Sequence, residues 1–548
     1  MRKIALFCLI AVLLVPQLCR AASCSDTIDV NAAVLADGFA ADLGNSRHYS
    51  SQITAANVAM LQAAWADVAD GVTERRGAAA VTQQAVFFSA GRQIIAANRR
   101  SGCRYWSYSI PAKTTPLVGS NAVRLSAIYF LPPQGSHPAL VYAGDFYGNF
   151  YALDAASGTL RWSRFIGSEA EHHMITGAPQ VYDGKLIVPV SSKEVLSTLF
   201  ETRPCCSSHG LLQVLDPYSG ATLWTYDTTA AARLQLRTGK QAPNGATLWG
   251  TPAIDPQRRR IYIGTGQNLT PPTTDNSDAI QALDLDSGAV LWTFQATAGD
   301  AYNVSCGVAL LATLDCVRPA GPDADFGAPP MLVHLAGGGD AVIAGAKNGV
   351  VYSLNPDSGA LNWSRRLGQG GSLGGIHWGM ANDGTRIYAA VSDVTVNKVS
   401  GLTAGKLLGS NEIATVDGAQ PGIYALDAAS GALQWAIHPT HVYDGVATPS
   451  IYSAALTVSN DLLFAGALDG ELKAFRTSDG AERWSYDSKV AITGVDGTAG
   501  HGGTIDSVGA ITAGDTLLLN SGYDSFGDSN RYQAGPGNVL MVWRLPSP

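Results

Sequence analysis

Charge is scarce in this chain: Asp, Glu, Lys and Arg make up 15% of 548 residues, against 46% hydrophobic ones. That balance excludes a disordered or coiled-coil chain, which depends on dense charge for its solubility. Basic residues are outnumbered, 36 Lys and Arg to 44 Asp and Glu, a formal charge of -8. A nucleic acid or an anionic membrane is therefore a poor partner, whereas a basic redox protein is compatible. No apolar run approaches the ~20 residues that span a bilayer. No Cys-x-x-Cys-His haem attachment motif occurs, and CCSSH at 205–209 has the wrong spacing. Glycine, by contrast, is abundant, at 60 residues, which suits a β-rich body with many tight turns. The length exceeds what one modest core needs, so the chain is either several domains or one large repetitive one.

The N-terminus begins Met1-Arg2-Lys3, continues as an apolar run from Ile4 to Pro16 and reaches small residues at Ala21, Ala22 and Ser23. This is the layout of a secretory signal peptide over 1–22, leaving 23–548 as the exported domain, periplasmic or secreted. Removing its three basic residues takes the formal charge from -8 to -11. Six cysteines then remain: Cys24, Cys103, Cys205, Cys206, Cys306 and Cys316. An even count in an exported chain favours disulfides, and Cys24–Cys103 and Cys306–Cys316 are the expected pairs.

One phrase recurs along the chain. An apolar strand ends in Asp or Asn, a turn carries Ser-Gly or Asp-Gly, and Trp follows about four residues later, as in ALDAASGTLRW, VLDPYSGATLW, ALDLDSGAVLW and SLNPDSGALNW. The tryptophans are Trp106, Trp162, Trp224, Trp292, Trp363, Trp435 and Trp484, and LQAAW adds Trp65. Glycine supplies the positive φ of a tight hairpin, and the alternating apolar residues on either side make two antiparallel strands. A Trp at a fixed offset can wedge between neighbouring sheets, so each repeat is one blade that cannot stand alone. Eight such tryptophans predict an all-β, eight-bladed β-propeller. The segment VLMVWRLP around Trp543 is expected to supply a late strand that joins the first blade and closes the ring.

The Ala-Leu-Asp-x-x-Ser-Gly-x-x-x-Trp phrase resembles the tryptophan-docking motif of the pyrroloquinoline quinone (PQQ) propellers. Fold does not give function, since such repeats also occur in cofactor-free protein-binding scaffolds, so the off-pattern residues must decide. Trp249, in NGATLWGTPAID, lies outside the repeat and offers either core packing or an aromatic face for a flat cofactor. An ortho-quinone oxidising an alcohol needs a Lewis acid, a base for the alcohol proton and cations against its carboxylates. In ITGAPQVYDGKLIVPVSSKE, Thr176 and Ser191 are candidates to hydrogen-bond the cofactor and Glu194 to bind a metal, although Glu194 also suits a solvent-facing strand end. In IYIGTGQNLTPP, Gln267 stands where the family places Asn, and Asn268 follows it, so either is a candidate metal ligand.

In GPDADFGAPPML, Asp323 falls at the position of the family's general base. Asp325 lies two residues on, which puts both carboxylates on one side of an extended segment. Pro322 replaces the family's Trp. Asp300 in GDAYNVSC is an alternative base, with Asn303 in place of its expected second aspartate. Lys347 in AGAKNGVVYSL matches a residue that contacts the quinone carbonyl, His377 and Trp378 in GGIHWGM resemble a pocket-lining segment, and Arg124 is a candidate carboxylate clamp. Cys205 and Cys206 match an adjacent pair carried against the cofactor face, and His209 replaces the Arg that follows that pair in relatives.

The order ITGAP, CC, LWGTPAID, SDAI, PDADFG, AKNGVVYSL and GGIHWGM is similar to the polyvinyl-alcohol-dehydrogenase-like branch of these quinoproteins over nearly the whole mature chain. The resemblance implies an alcohol dehydrogenase using PQQ with Ca²⁺, or a lanthanide, since Asp325 adds a carboxylate. It also implies a secondary, perhaps polymeric, alcohol as substrate. Electrons would pass to a separate cytochrome c, because the chain carries no haem motif. A cofactor-free scaffold, and a relative that binds PQQ without oxidising anything because of His209, are the competing expectations.

Overall fold

The computed structural model describes residues 23–112, 127–168, 171–197, 205–234, 242–303, 317–397, 412–523 and 530–546. Eight antiparallel sheets are arranged in a ring, over 80–109, 129–165, 180–227, 253–295, 331–366, 381–437 and 457–487, with an eighth formed from 510–544 and 62–68; each has four strands, and Val34–Ala36 and His173–Met174 add a short fifth to the first and third. Within each sheet the chain runs from the channel outward. The second strand is buried, as in Ala85–Ala90, whereas the outermost is exposed, as in Leu160–Phe165, where Trp162 alone is half-buried. That is the burial expected of a sheet sandwiched between neighbours and exposed only at its outer edge.

The repeat does what its composition predicts. The ring of each blade's Trp lies on the Ser-Gly or Asp-Gly turn of the next blade. A Cβ at Gly158 would come within 2.6 Å of Trp106, and one at Gly359 within 2.6 Å of Trp292. Those glycines have φ of 70° and 72°, so both the turn and the covering ring require glycine. The indole N–H completes the joint, Trp106 donating to the Ala155 carbonyl at 3.0 Å and Trp162 to that of Pro217 at 3.0 Å. A buried indole removes on the order of 200 Å² from water, at ~25 cal/mol per Å² a few kcal/mol per joint. Trp484 departs from the pattern and packs edge-on against Trp543 of the eighth blade, centroids 6.2 Å apart.

Closure follows the sequence expectation: the strand Val539–Arg544 pairs with Gln62–Val68, the strand carrying Trp65, the first of the eight repeat tryptophans. Trp65 is thus the outer-strand tryptophan of the eighth blade, and its ring covers Gly102 of the first. Its indole donates to the Arg99 carbonyl at 2.9 Å. Residues 33–52 thread the channel and bond to the blades in order. Their carbonyls accept from Gln83, Phe130, Gln180, Ile254, Leu332 and Asn382, and the amides of Tyr49 and Gln52 donate to Val458 and Gly514. Arg47 and Tyr49, 1% and 2% exposed, fill the middle of that channel. A disulfide joins Cys24 to Cys103, as expected, while Cys306, Cys316 and the leader 1–22 lie outside the described residues.

Antiparallel order divides the ring into two faces. Turns within a blade after its first and third strands fall at one end, and these carry the Ser-Gly repeat. Connections after the second and fourth strands fall at the other. The sequence-derived site residues that the structure describes all lie on or next to this second set of connections.

Candidate functional site

Trp249 precedes the innermost strand of the fourth blade, Ala253–Asp255. His377 and Trp378 meet its ring edge-on, with centroids at 5.7 and 5.4 Å, and Lys347 Nζ stands 5.3 Å from its centre. A Cβ at Gly327 would run into the ring, and one at Gly177 would press on the carbonyls of Trp249 and Gly250 at 3.0 Å. Thr176, next to Gly177, has a buried hydroxyl without a hydrogen-bond partner, as has the Trp378 indole nitrogen.

Beside this aromatic platform lies a buried carboxylate cluster. Lys347 Nζ donates to Asp323 Oδ1 at 3.1 Å and to Asp325 Oδ2 at 2.8 Å. Asp325 Oδ1 accepts the Gln267 amide at 2.7 Å. Asp300 Oδ2 accepts the Ala324 amide at 2.8 Å, so Asp300 and Asp323, alternatives in the sequence, are neighbours in one cluster. Asp278, which sequence reasoning did not single out, completes it. Burial keeps Asp278 protonated and able to donate to Asp300, and these oxygens, both of Asp278 and Oδ1 of Asp300, have no other hydrogen-bond partner among the described residues. Asp278 and Asp323 adopt φ of 46° and 59°, the left-handed region that an Asp tolerates at a cost and that clusters at functional sites.

Four carboxyls face one ammonium in a site closed to water, and the titration follows. Burial pushes Asp323 up, Lys347 opposes this, and Asp325 and Asp300 add to it. Burial, with Asp300 and Asp325 alongside, pushes Asp278 up further. Burial alone would lower Lys347, but Asp323 and Asp325 hold it charged. Such an excess of buried carboxyls over cations could take a hard metal ion.

The residues of the third blade form an adjoining group. Ser191 is buried and pairs with Met174. Glu194 accepts the amides of Ser207 and Ser208 at 2.8 and 2.7 Å and the Ser208 hydroxyl at 2.6 Å. It thereby holds the segment that follows the Cys205–Cys206 disulfide. This group reaches the first through the backbone. Gly245 donates to the Ser208 carbonyl and Ala246 to that of Gln267, both at 2.8 Å. The two candidate amides differ. Asn268 Oδ1 is taken by the Thr274 amide at 2.8 Å, whereas the side-chain oxygen of Gln267 makes no hydrogen bond among the described residues.

His209 turns to Asp227, its Nε2 at 3.2 Å. Burial alone would push Asp227 up, but His209 and Arg233 hold it at about 2. Glu171, His173 and His209 come close enough to suggest a metal. The hydrogen bonds say otherwise: His173 Nδ1 accepts the Ser168 amide at 2.7 Å. Its Nε2 must therefore carry the proton given to the His209 carbonyl at 2.9 Å, and neither nitrogen is left for a metal. A cavity of about 360 Å³ between the first and eighth blades, lined by Asp67, Arg92, Arg104 and Asp496 among others, shares no residue with the site. Arg124 lies outside the described residues.

Comparison with known proteins places the propeller in a family. The family model described as glucose/ethanol/alcohol dehydrogenase, β-propeller domain (PQQ), matches residues 37–314, and that of the outer membrane protein assembly factor BamB matches 275–499. The chain belongs to the PQQ family of quinoprotein alcohol dehydrogenases. Within it, the polyvinylalcohol dehydrogenase of a Pseudomonas sp is 32% identical over 532 residues, 94% of this chain and 78% of that protein. That of Sphingopyxis sp. (strain 113P3) is 30% identical, covering 96% and 79%. Among solved structures, the quinohemoprotein alcohol dehydrogenase ADHIIG from Pseudomonas putida HK5 superposes with a TM-score of 0.68 at 16% identity, over 95% of this chain and 82% of that one. That likeness supports the fold. No helix among the described residues is long and apolar enough to cross a membrane.

Proposed function

We propose that this enzyme oxidises a secondary alcohol, polymeric alcohols such as polyvinyl alcohol included, with PQQ held over Trp249 and a hard cation held in the carboxylate cage. The observation that carries this reading is the buried group of Asp278, Asp300, Asp323 and Asp325 with Lys347 as its ammonium, beside the ring of Trp249, which packs against Gly327 too closely for any side chain there. PQQ, when bound, supplies the ortho-quinone that accepts hydride. The chain's own residues do the rest. Asp323 takes the alcohol proton, and the adjacent Lys347 keeps that carboxylate in place and offers a proton donor to the pocket. Asp323, Asp325 and Gln267 are the cation ligands. The free amide oxygen favours Gln267 over Asn268, and Glu194 joins by releasing part of its hold on Ser207 and Ser208.

Trp378, Thr176, Ser191, Cys205 and Cys206 would hold the cofactor, and Arg124 would clamp a carboxylate. His209 is a poor substitute for an arginine there, being engaged by Asp227. The number of carboxylates suits a trivalent lanthanide as well as Ca²⁺. Electrons leave to a separate cytochrome c, and the leader 1–22 directs the chain to the periplasm. The match of 275–499 to an assembly-factor model keeps a protein-binding scaffold as the second reading. The purified, metal-stripped protein should reduce a redox dye with polyvinyl alcohol or small secondary alcohols only when both PQQ and Ca²⁺ or a lanthanide are added. Absence of PQQ uptake would transfer the assignment to the scaffold.

A further inference from the structure

The cavity of about 360 Å³ between the first and eighth blades has no part in the mechanism above. Three segments wall it. Asp70 and Val72 come from the connection after the outer strand of the eighth blade, Arg92 from the turn between the second and third strands of the first, and Asp496 and Thr498 from the hairpin Ala491–Thr493/Ala499–His501 that follows the seventh. All three belong to the set of connections that carries the candidate site, so the cavity lies on the face of Trp249. The connection 69–79 leads inward from it toward the pocket. Ser507 donates to the Arg76 carbonyl at 3.5 Å, the Ser507 carbonyl accepts the Ala455 amide at 2.9 Å, and nearby Ser453 is 2.9 Å from His377, whose ring meets Trp249.

The lining decides what such a cavity can hold. Asp67, 2% exposed, accepts from Arg75 at 3.1 Å and from Arg104 at 2.6 Å, and Asp496 faces Arg104 at 3.8 Å. With Arg92 and Asp70 the guanidiniums and carboxylates match three to three, which leaves no net charge for an ionic ligand. Among the described residues no aromatic ring lines the cavity, so a flat ligand has nothing to lie on. What remains open is hydrogen bonding of both kinds. Arg92 spends Nε and Nη2 on the Ile110 carbonyl at 3.2 and 2.6 Å and keeps Nη1 free among the described residues. The Asp70 carboxylate and the Ser109 and Thr498 hydroxyls also line the cavity, and Val68 and Val72 add methyl groups beside them. A hydroxyl is donor and acceptor at once, so it can bridge a guanidinium and a carboxylate, while a hydrocarbon stem lies against the methyls.

We propose that this cavity is a second binding site for the substrate, holding a stretch of hydroxyl-bearing hydrocarbon chain, such as polyvinyl alcohol, beside the pocket. The inference rests on the reading of the enzyme as a dehydrogenase of polymeric alcohols. The volume falls in the range of ~300–1,000 Å³ that small-molecule sites occupy. Tethering one stretch of a polymer there raises the concentration of its other hydroxyls at the pocket without any new contact to the reacting carbon.

The test uses the full chain freed of PQQ and metal and reads polymer binding by isothermal titration. Polyvinyl alcohol should bind, and polyacrylate, a chain of carboxylates, should not. Asp70→Ala and Ser109→Trp, both at exposed positions, should weaken polymer binding about tenfold, the loss of one or two hydrogen bonds. In the loaded enzyme the same variants should raise KM for polyvinyl alcohol about tenfold, with kcat unchanged. Both constants for 2,4-pentanediol, too short to be tethered, should stay as they are. Unaltered polymer binding in both folded variants, or binding of polyacrylate in place of polyvinyl alcohol, overturns the proposal. An enzyme that oxidises the polymer with an ordinary KM in both variants keeps the dehydrogenase reading and loses the second site. A chain that holds the polymer through the cavity yet oxidises no alcohol with PQQ and a cation loses that reading and keeps the second site.

Discussion

The two faces of this ring are built on opposite rules. On the face of the repeat, each joint is built the same way. Glycine takes the left-handed turn, an indole covers it and, in five of the joints, the indole N–H finds a carbonyl of the next blade, while those of Trp224 and Trp363 find no partner among the described residues. On the other face, four carboxyls are buried together, two aspartates sit at positive φ, and Lys347 bonds Asp323 and Asp325. The repeated joints stabilise the fold, and the buried acids cost stability. The contrast explains how one scaffold can serve both an enzyme and a cofactor-free protein.

Substitutions on the two faces should separate activity from stability. The largest effect is expected at Asp323→Asn, which should lower kcat by ~10³-fold while leaving the melting temperature of the metal-free protein unchanged or higher, checked by dye reduction and calorimetry. Trp249→Ala should abolish measurable PQQ binding in a fluorescence titration while the ring stays folded. Gly158→Ala does the reverse. It should cost roughly 2–3 kcal/mol of stability, because a Cβ strains the turn and strikes Trp106, with kcat per folded molecule unchanged.

Asp278→Asn sharpens the comparison further. It should leave the stability of the metal-free protein nearly unchanged at neutral pH, because burial already keeps Asp278 protonated and the Asn amide can donate to Asp300 in its place, and it should weaken cation affinity in isothermal titration. The smallest effect is expected at Asp227→Asn. Asp227 is held below its unfolded value, so its contribution is present above pH ~4 and is lost as pH falls through about 2. Partial exposure reduces it to ~1 kcal/mol, a difference in urea midpoint that should be seen at pH 7 and vanish near pH 2.

What was legible in the sequence follows the same division. Seven copies of one phrase announce seven blades because each phrase carries, within about ten residues, the Gly that the preceding blade's Trp covers and the Trp that covers the next blade's Gly. The eighth blade was harder, since its Trp65 strand and its Trp543 strand lie at opposite ends of the chain. Of the site, Trp249, Lys347, Asp323 and Asp325 were recognisable because they break the repeat or lie in family-like segments, and the structure brings them together. Asp278 was not, because in NSDAIQALD it reads as a polar residue before a strand, and only burial beside Asp300 makes it unusual.

The thread of residues 33–52 gives the molecule a gauge as well as a plug. It spends its hydrogen bonds on the eight blades in succession, so a ring with one blade fewer would leave part of the thread unmatched, and a ring with one more would leave a blade unserved. With Arg47 and Tyr49 filling the bore, a long, flexible substrate cannot be pulled through the hub like a cord through a bead. It must enter and leave by the same mouth, so an interior segment can reach the pocket only as a loop, and free ends should react first.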